Sequence, residues 1–313
     1  MLLLSPRNVF LASAVLQPAM AYQLVGSWDG NNWRDGMFIE SGVRNNYEFV
    51  DYLSEAQAQF AGLLETQNGK LILRADSRIS LDPSAPGRHS VRLRTKATYN
   101  NVLVIGDFDH MPKMTCGVWP AFWMVGPKWP QDGEIDIIEA VNEMPQNQIT
   151  LHTSPGCVPG VGPEGQSGAR TGQTDCGAGN GDVGCGVFNT AGSGMGDGFN
   201  GVGGGVYATQ WTNEGVKTWQ WTKGNVPFDV LMGNPNPAGW GQPVANWVGC
   251  AFNNYLRDMS VIVQTTFCGG WAGQLWDKGS CAGRAPTCNE YVARNPGTFS
   301  EAYWVINSIK IYQ

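Results

Sequence analysis

Ten short β-favouring runs bounded by turn residues recur along the chain, and they limit its fold more than any other feature. They cover 70–75, 90–95, 102–108, 118–125, 134–138, 149–153, 205–209, 216–222, 259–267 and 302–312. With almost no period of 3.6 residues between them, the pattern predicts an all-β sandwich, an architecture that runs past about 200 residues as one domain. One short helix is expected, around Leu53, Ala56, Phe60 and Leu64. Within 90–95, Val91 and Leu93 alternate with Arg92 and Arg94, so one face of that strand is apolar and the other carries guanidinium groups.

The first 21 residues predict a secretory signal: Arg7 is their only charge, 10–16 is mostly apolar, and Ala19-Met20-Ala21 supplies a small-x-small cleavage site. That leaves 22–313 as a single domain. No later stretch approaches the roughly 18 apolar residues of a membrane span, so no membrane partner is expected. Eight cysteines (Cys116, Cys157, Cys176, Cys185, Cys250, Cys268, Cys281 and Cys288) fit four disulfides in an oxidising compartment, with their connectivity open. There is no C-x-x-C pair, and His89, His110 and His152 are scattered, which argues against a zinc site. No metal or cofactor is expected. The net charge of −6, with no basic stripe, argues against nucleic acid.

Residues 156–205 hold 19 glycines together with Cys157, Cys176 and Cys185, and predict a long excursion stapled by disulfides rather than packed. Three G-x-G-x-x-G matches begin at Gly160, Gly179 and Gly196, but such a glycine density produces them by chance.

The chemistry concentrates in Glu134-Ile135-Asp136-Ile137-Ile138-Glu139. Period-two alternation puts Glu134 and Asp136 on one face and Ile135 and Ile137 on the other, leaving Glu139 out of phase. Either Glu139 points into the core or a β-bulge absorbs one residue. The bulge is favoured, because an unpaired carboxylate in a core costs several kcal/mol whereas a bulge disrupts the ladder only locally. Two glutamates converging on that face would suit a retaining glycosidase, whose carboxyl groups stand about 5–5.5 Å apart. A calcium-binding or merely solvated acidic face is the plainer alternative. Trp119, Trp123 and Trp129 precede the acids and Trp271 follows Cys268, placing indole faces that can stack on sugar rings near them, while each is also a candidate core residue. His152, on the next strand, is a candidate for the same cleft.

The acid run resembles that of the fungal endo-1,3(4)-β-glucanases, or laminarinases, of glycoside hydrolase family 16. It is preceded by Trp119-Pro120-Ala121-Phe122-Trp123 and followed by Asn142 and Leu151-His152-Thr153. Further likeness lies in 71–76, 88–94, 268–274 and the closing 302–312. The resemblance implies a concanavalin-like β-jelly roll, a sandwich of two curved antiparallel sheets with an open substrate cleft. It implies Glu134 as nucleophile, Glu139 as acid/base and Asp136 as helper, with Arg92, Trp123 and Trp271 binding glucosyl units. Trp119, Trp129 and His152 complete the expected substrate contacts. The implied partner is a β-glucan polysaccharide, acted on by a monomeric secreted protein. A non-catalytic β-glucan-binding lectin and a wall-remodelling transglycosylase remain alternatives on the same fold. Lectins of that kind lose a carboxylate, whereas all three acids are present here.

N-terminal sequencing of the secreted form is expected to begin at Tyr22; a secreted form that begins at Met1 contradicts the leader.

Overall fold

Side-chain alternation decides how the strands layer. Along Val118–Val125, Val118, Phe122 and Met124 are fully buried while Trp119 and Trp123 keep part of their surface open. The strand therefore has an inner face for a core and an outer face of indoles. The computed structural model describes residues 22–43 and 47–313; the leader expected over 1–21 lies outside them.

The described residues build a jelly-roll sandwich of two antiparallel sheets. Across the front sheet the order is Ala169–Arg170, Cys185–Phe188, Gln148–His152, Glu134–Glu139, Val118–Val125, Ser260–Phe267, Arg92–Thr95 and Met37–Ile39. The back sheet runs Gly160–Val161, Ala245–Val248, Gly215–Thr222, Gly205–Trp211, Leu103–His110, Tyr303–Tyr312, Lys70–Arg74 and Leu64–Gln67, with Leu24–Trp28 also pairing with Tyr303–Tyr312. The inner faces meet through aromatics, with Phe108 of the back sheet 5.2 Å from Phe122 of the front and 5.3 Å from Trp304. Gly106 is required at that contact, because a Cβ there would lie 2.6 Å from the Phe108 ring. Arg92 and Arg94 lie on the outer face and Val91 and Leu93 are buried, as the alternation predicts.

A second apolar cluster contains Phe49, Phe267, Trp276, Tyr291 and Phe299. Two disulfides close it, Cys116–Cys281 and Cys268–Cys288, and Cys157–Cys250 and Cys176–Cys185 complete the expected four. No described cysteine is free. No helix among the described residues is long and apolar enough to cross a membrane.

Three expectations need correction. The helix expected near Leu53 spans Glu55–Phe60, capped by Ser54 and Gln57, but it buries Ala58 and leaves Phe60 96% exposed. Six residues are too few to carry a helical stripe, so Leu53 and Leu64 are buried from outside it. The Gly-rich excursion is packed as well as stapled. Its strand Cys185–Phe188 joins the front sheet, and Val187, Met195 and Phe199 enter the main core. Finally, the run 90–95 divides at Val91: Arg88–Ser90 pairs in parallel with Val50–Tyr52, while Arg92–Thr95 joins the front sheet.

Candidate active site

In the front sheet Glu134 pairs with Val125 and Asp136 with Trp123, but the next matched pairs are Ile138 with Phe122 and Glu139 with Ala121. Ile137 has no counterpart, so a β-bulge sits where the phase of the acids predicts one. Ala121 has the same parity as Trp119 and Trp123, and Glu139 opposite it therefore shares the outer face with Glu134 and Asp136. Ile137 and Ile138 are fully buried. On the opposite side, pairing with Gln148–His152 stops at Asp136 and Thr150. There the Asn147 side chain takes over: its Oδ1 accepts from the Glu139 N–H at 2.7 Å, and its Nδ2 donates to the Ile137 carbonyl at 2.9 Å.

Each acid has distinct neighbours. The Trp119 indole N–H donates to Glu139 Oε1 at 2.7 Å, and the Trp119 ring meets Trp271 edge-on at 5.9 Å. The Trp271 segment is held in turn by Asn142, whose Nδ2 donates to the Ala272 carbonyl and whose Oδ1 accepts from Gly117 N–H. Glu134 stands across from His152, with the Asp136 carboxyl close enough that the two compete for one proton. His152 Nε2 lies 3.1 Å from Asp136 Oδ2, without the direction of a hydrogen bond. His152 Nδ1 is 2.6 Å from the Gly181 carbonyl, which assigns the ring hydrogen to Nδ1 because a carbonyl only accepts.

The Gly-rich segment is therefore part of the site. Gly184, at φ +66°, sits where a Cβ would come within 2.7 Å of His152 Nδ1, so this backbone can pass the imidazole only as glycine.

Arg92 lies in the same cross-strand row as Glu139, through Gln264 and Ala121. Its Nε donates to Glu40 at 2.6 Å, Nη1 donates to Gln264 Oε1, and the guanidinium sits 5.1 Å from the Trp123 ring. The expected residues thus form three groups: Glu134, Asp136 and His152; Glu139, Trp119 and Trp271; Arg92 and Trp123. Trp129 joins none of them and stands 42% exposed on the loop before Glu134. Sequence reasoning missed Glu40, Gln264, Asn147 and Gly181. Only Asn147 left a signal, since a bulge needs a side chain to satisfy its unmatched peptide groups.

Burial dominates the electrostatics. It raises Glu134 well above the carboxylate range, with the Asp136 charge adding to it, and raises Asp136 to about 7, moderated by the Glu134 hydrogen bond. Glu139 is also pushed well up, first by burial and then by Asp136, and the Trp119 N–H pulls partly the other way. Like charges this close share protons rather than all ionise at neutral pH. Glu134, Asp136 and His152 offer ligand atoms within 4.8 Å of one another, but their mutual contacts engage those same groups. The other such set among the described residues, Cys116, Glu143 and Cys281, contains a disulfide.

Residues 40–312 match the model of the XgeA-like catalytic domain of glycoside hydrolase family 16. An endo-1,3(4)-β-glucanase of Emericella nidulans is 40% identical over 96% of this chain and 50% of its own length. The chain spans about half the length of most curated relatives it matches. Among solved structures, an elongating family 16 β-1,3-glucosyltransferase is 37% identical with a TM-score of 0.87, over 93% of this chain and 100% of its own. Laminarinase 16A from Phanerochaete chrysosporium, solved with β-glucans in donor and acceptor sites, is 36% identical with a TM-score of 0.84, over 94% of this chain and 100% of its own.

The raised acids predict a stability effect with a definite sign. The folded chain holds protons that the unfolded chain has released, so stability falls as pH rises from the ordinary carboxylate range through the raised values. Glu139→Gln keeps an oxygen for the Trp119 N–H and removes the charge. It should melt above the wild type at pH 8 and level with it at pH 4, as followed by circular dichroism. Equal melting at pH 8 contradicts the burial argument.

Proposed function

The chain belongs to glycoside hydrolase family 16, in its XgeA-like branch, and from that membership we propose that it cleaves β-1,3 and mixed β-1,3/1,4 glucans internally with retention of configuration. The observation that carries this reading is the bulge at Ile137, which gives Glu139 the same face as Glu134 while leaving their surroundings different. In the first step Glu134 attacks the anomeric carbon as Glu139 protonates the departing glycosidic oxygen. Glu134 is freed for attack when the proton it shares passes to Asp136, the helper between the two glutamates. In the second step Glu139, now a carboxylate, takes a proton from water as the water oxygen displaces Glu134 from the sugar. The raised affinity of Glu139 for its proton suits this double task near neutral pH.

Arg92, Trp119, Trp123, Trp129, His152 and Trp271 would contact successive glucosyl units, the indoles through their faces. The chemistry requires no cofactor. The protein is secreted, acts as a monomer and takes a β-glucan polysaccharide as its partner. Four disulfides and the apolar, small-residue-ending leader support secretion. A transglycosylase reading is favoured by the likeness to a β-1,3-glucosyltransferase, and differs only in whether a sugar hydroxyl or water meets Glu139 in the second step.

Incubation with laminarin, lichenan and cellulose should release oligosaccharides from the first two. Release from cellulose alone contradicts the proposal, and the ratio of transferred to hydrolysed product separates the two variants of it.

The two glutamates should fail differently. Glu134→Gly should abolish turnover and, with azide, yield a glycosyl azide of inverted configuration on a substrate with a good leaving group, because the anion attacks from the vacated face. Glu139→Gly should lose about 10²–10⁴-fold on natural glucan and give azide product of retained configuration. Near-normal activity of the Glu139 variant on natural glucan contradicts its role.

A further inference from the structure

A bulge that brings Glu139 outward also strands peptide groups that no ladder serves on the Gln148–His152 side. Beyond Asp136 and Thr150 that ladder ends, and Asn147 faces the Ile137 carbonyl and the Glu139 amide with a donor and an acceptor in one planar group. Its side chain replaces a peptide bond. Asn147 is fully buried, where leaving either backbone group unpaired costs about 1–3 kcal/mol. The residue is itself held: the Asn147 backbone carbonyl accepts from Asn189 N–H at 2.8 Å, and its side-chain Nδ2 lies 3.4 Å from the Tyr207 hydroxyl. Tyr207 belongs to the back-sheet strand Gly205–Trp211 and is fully buried. Its hydroxyl accepts from Asn189 Nδ2 at 3.2 Å and donates to the Gly194 carbonyl at 2.6 Å. A polar chain therefore runs through the core from the back sheet and the Gly-rich segment to the backbone of Glu139.

Resting on the acid/base role proposed for Glu139, we propose that Asn147 is a positioning residue, braced by Tyr207, that fixes the backbone from which Glu139 reaches the leaving oxygen. It acts through the Glu139 amide. A displacement of about 1 Å in a catalytic group can cost on the order of 10²-fold in rate, and here the loss falls on the step in which Glu139 gives up its proton. Asparagine alone fits the task at this length. Aspartate can accept from the Glu139 amide but cannot donate to the Ile137 carbonyl, and alanine does neither.

The test compares the full chain with Asn147→Ala, Asn147→Asp and Tyr207→Phe on two substrates. These are laminarin and a dinitrophenyl β-laminaribioside, whose leaving group needs no proton and whose kcat/KM reports the first step alone. Thermal melts select the variants that fold, and any one of them suffices. For the Asn147 variants kcat on laminarin should drop about 10–100-fold with KM little changed, while kcat/KM on the aryl substrate stays within about threefold. Tyr207→Phe should show the same imbalance at a smaller size, with a loss of about 3–10-fold on laminarin. Parallel losses on the two substrates in the folded variants, or no loss on either, overturn the proposal. A wild type inert on both substrates overturns the glucanase reading and this inference with it; an active wild type with parallel losses overturns the inference alone.

Discussion

In a strand whose side chains alternate, a slip of one residue exchanges core for surface, and Ile137 absorbs such a slip between Asp136 and Ile138. Without it, Glu139 would enter the core beside Ile135 and Ile137, and Ile138 would take its place on the outer face. With it, Glu139 meets the Trp119 indole, Asp136 becomes a neighbour of both glutamates, and the indole pair Trp119 and Trp271 borders the same patch. The bulge is in turn maintained from outside the strand by the amide of Asn147, and from within it by the buried isoleucines on both sides.

The same geometry works against stability. Three carboxyl groups drawn together, Asp136 and Glu139 buried and Glu134 partly so, hold their protons far more firmly than free acids do, and ionising them in the fold is costly. Arg92 offsets part of this at Glu134, yet its guanidinium is already engaged by Glu40 and Gln264 and stacked over Trp123. The disulfides and the aromatic seam between Phe108, Phe122 and Trp304 supply rigidity that this arrangement draws on. Charged groups with perturbed proton affinities gathered at one face are the distribution expected of a candidate functional site.

Much of this is legible in the sequence because it follows from period two. The ten runs all fall on observed strands, and the phase error at Glu139 marks the position of the bulge from residue spacing alone. The alternation of Val91 and Leu93 with Arg92 and Arg94 places Arg92 on the outer face, in the row of Glu139. What stays hidden depends on contacts between distant segments. Glu40 grips Arg92 from another strand, and Gly181 holds His152 from within the Gly-rich segment. That segment resembles padding in the sequence because glycine density conceals its purpose. Gly184 is glycine for want of room beside an imidazole, and Val187 and Phe199 fill the core from between glycines. The helix ending at Phe60 departs from its apolar pattern because a stripe of four such residues presumes more turns than the chain forms.

A double displacement requires the bulge to bring the two glutamates within reach of one anomeric carbon. Proton NMR of the anomeric centre, recorded in the first minutes of β-glucan cleavage and before mutarotation, tests it most directly. Newly formed reducing ends should appear first as the β-anomer, as two carboxyl groups about 5–5.5 Å apart require. First appearance of the α-anomer would mean that water attacks directly between carboxyl groups about 6.5–9.5 Å apart, and would contradict the convergence of Glu134 and Glu139.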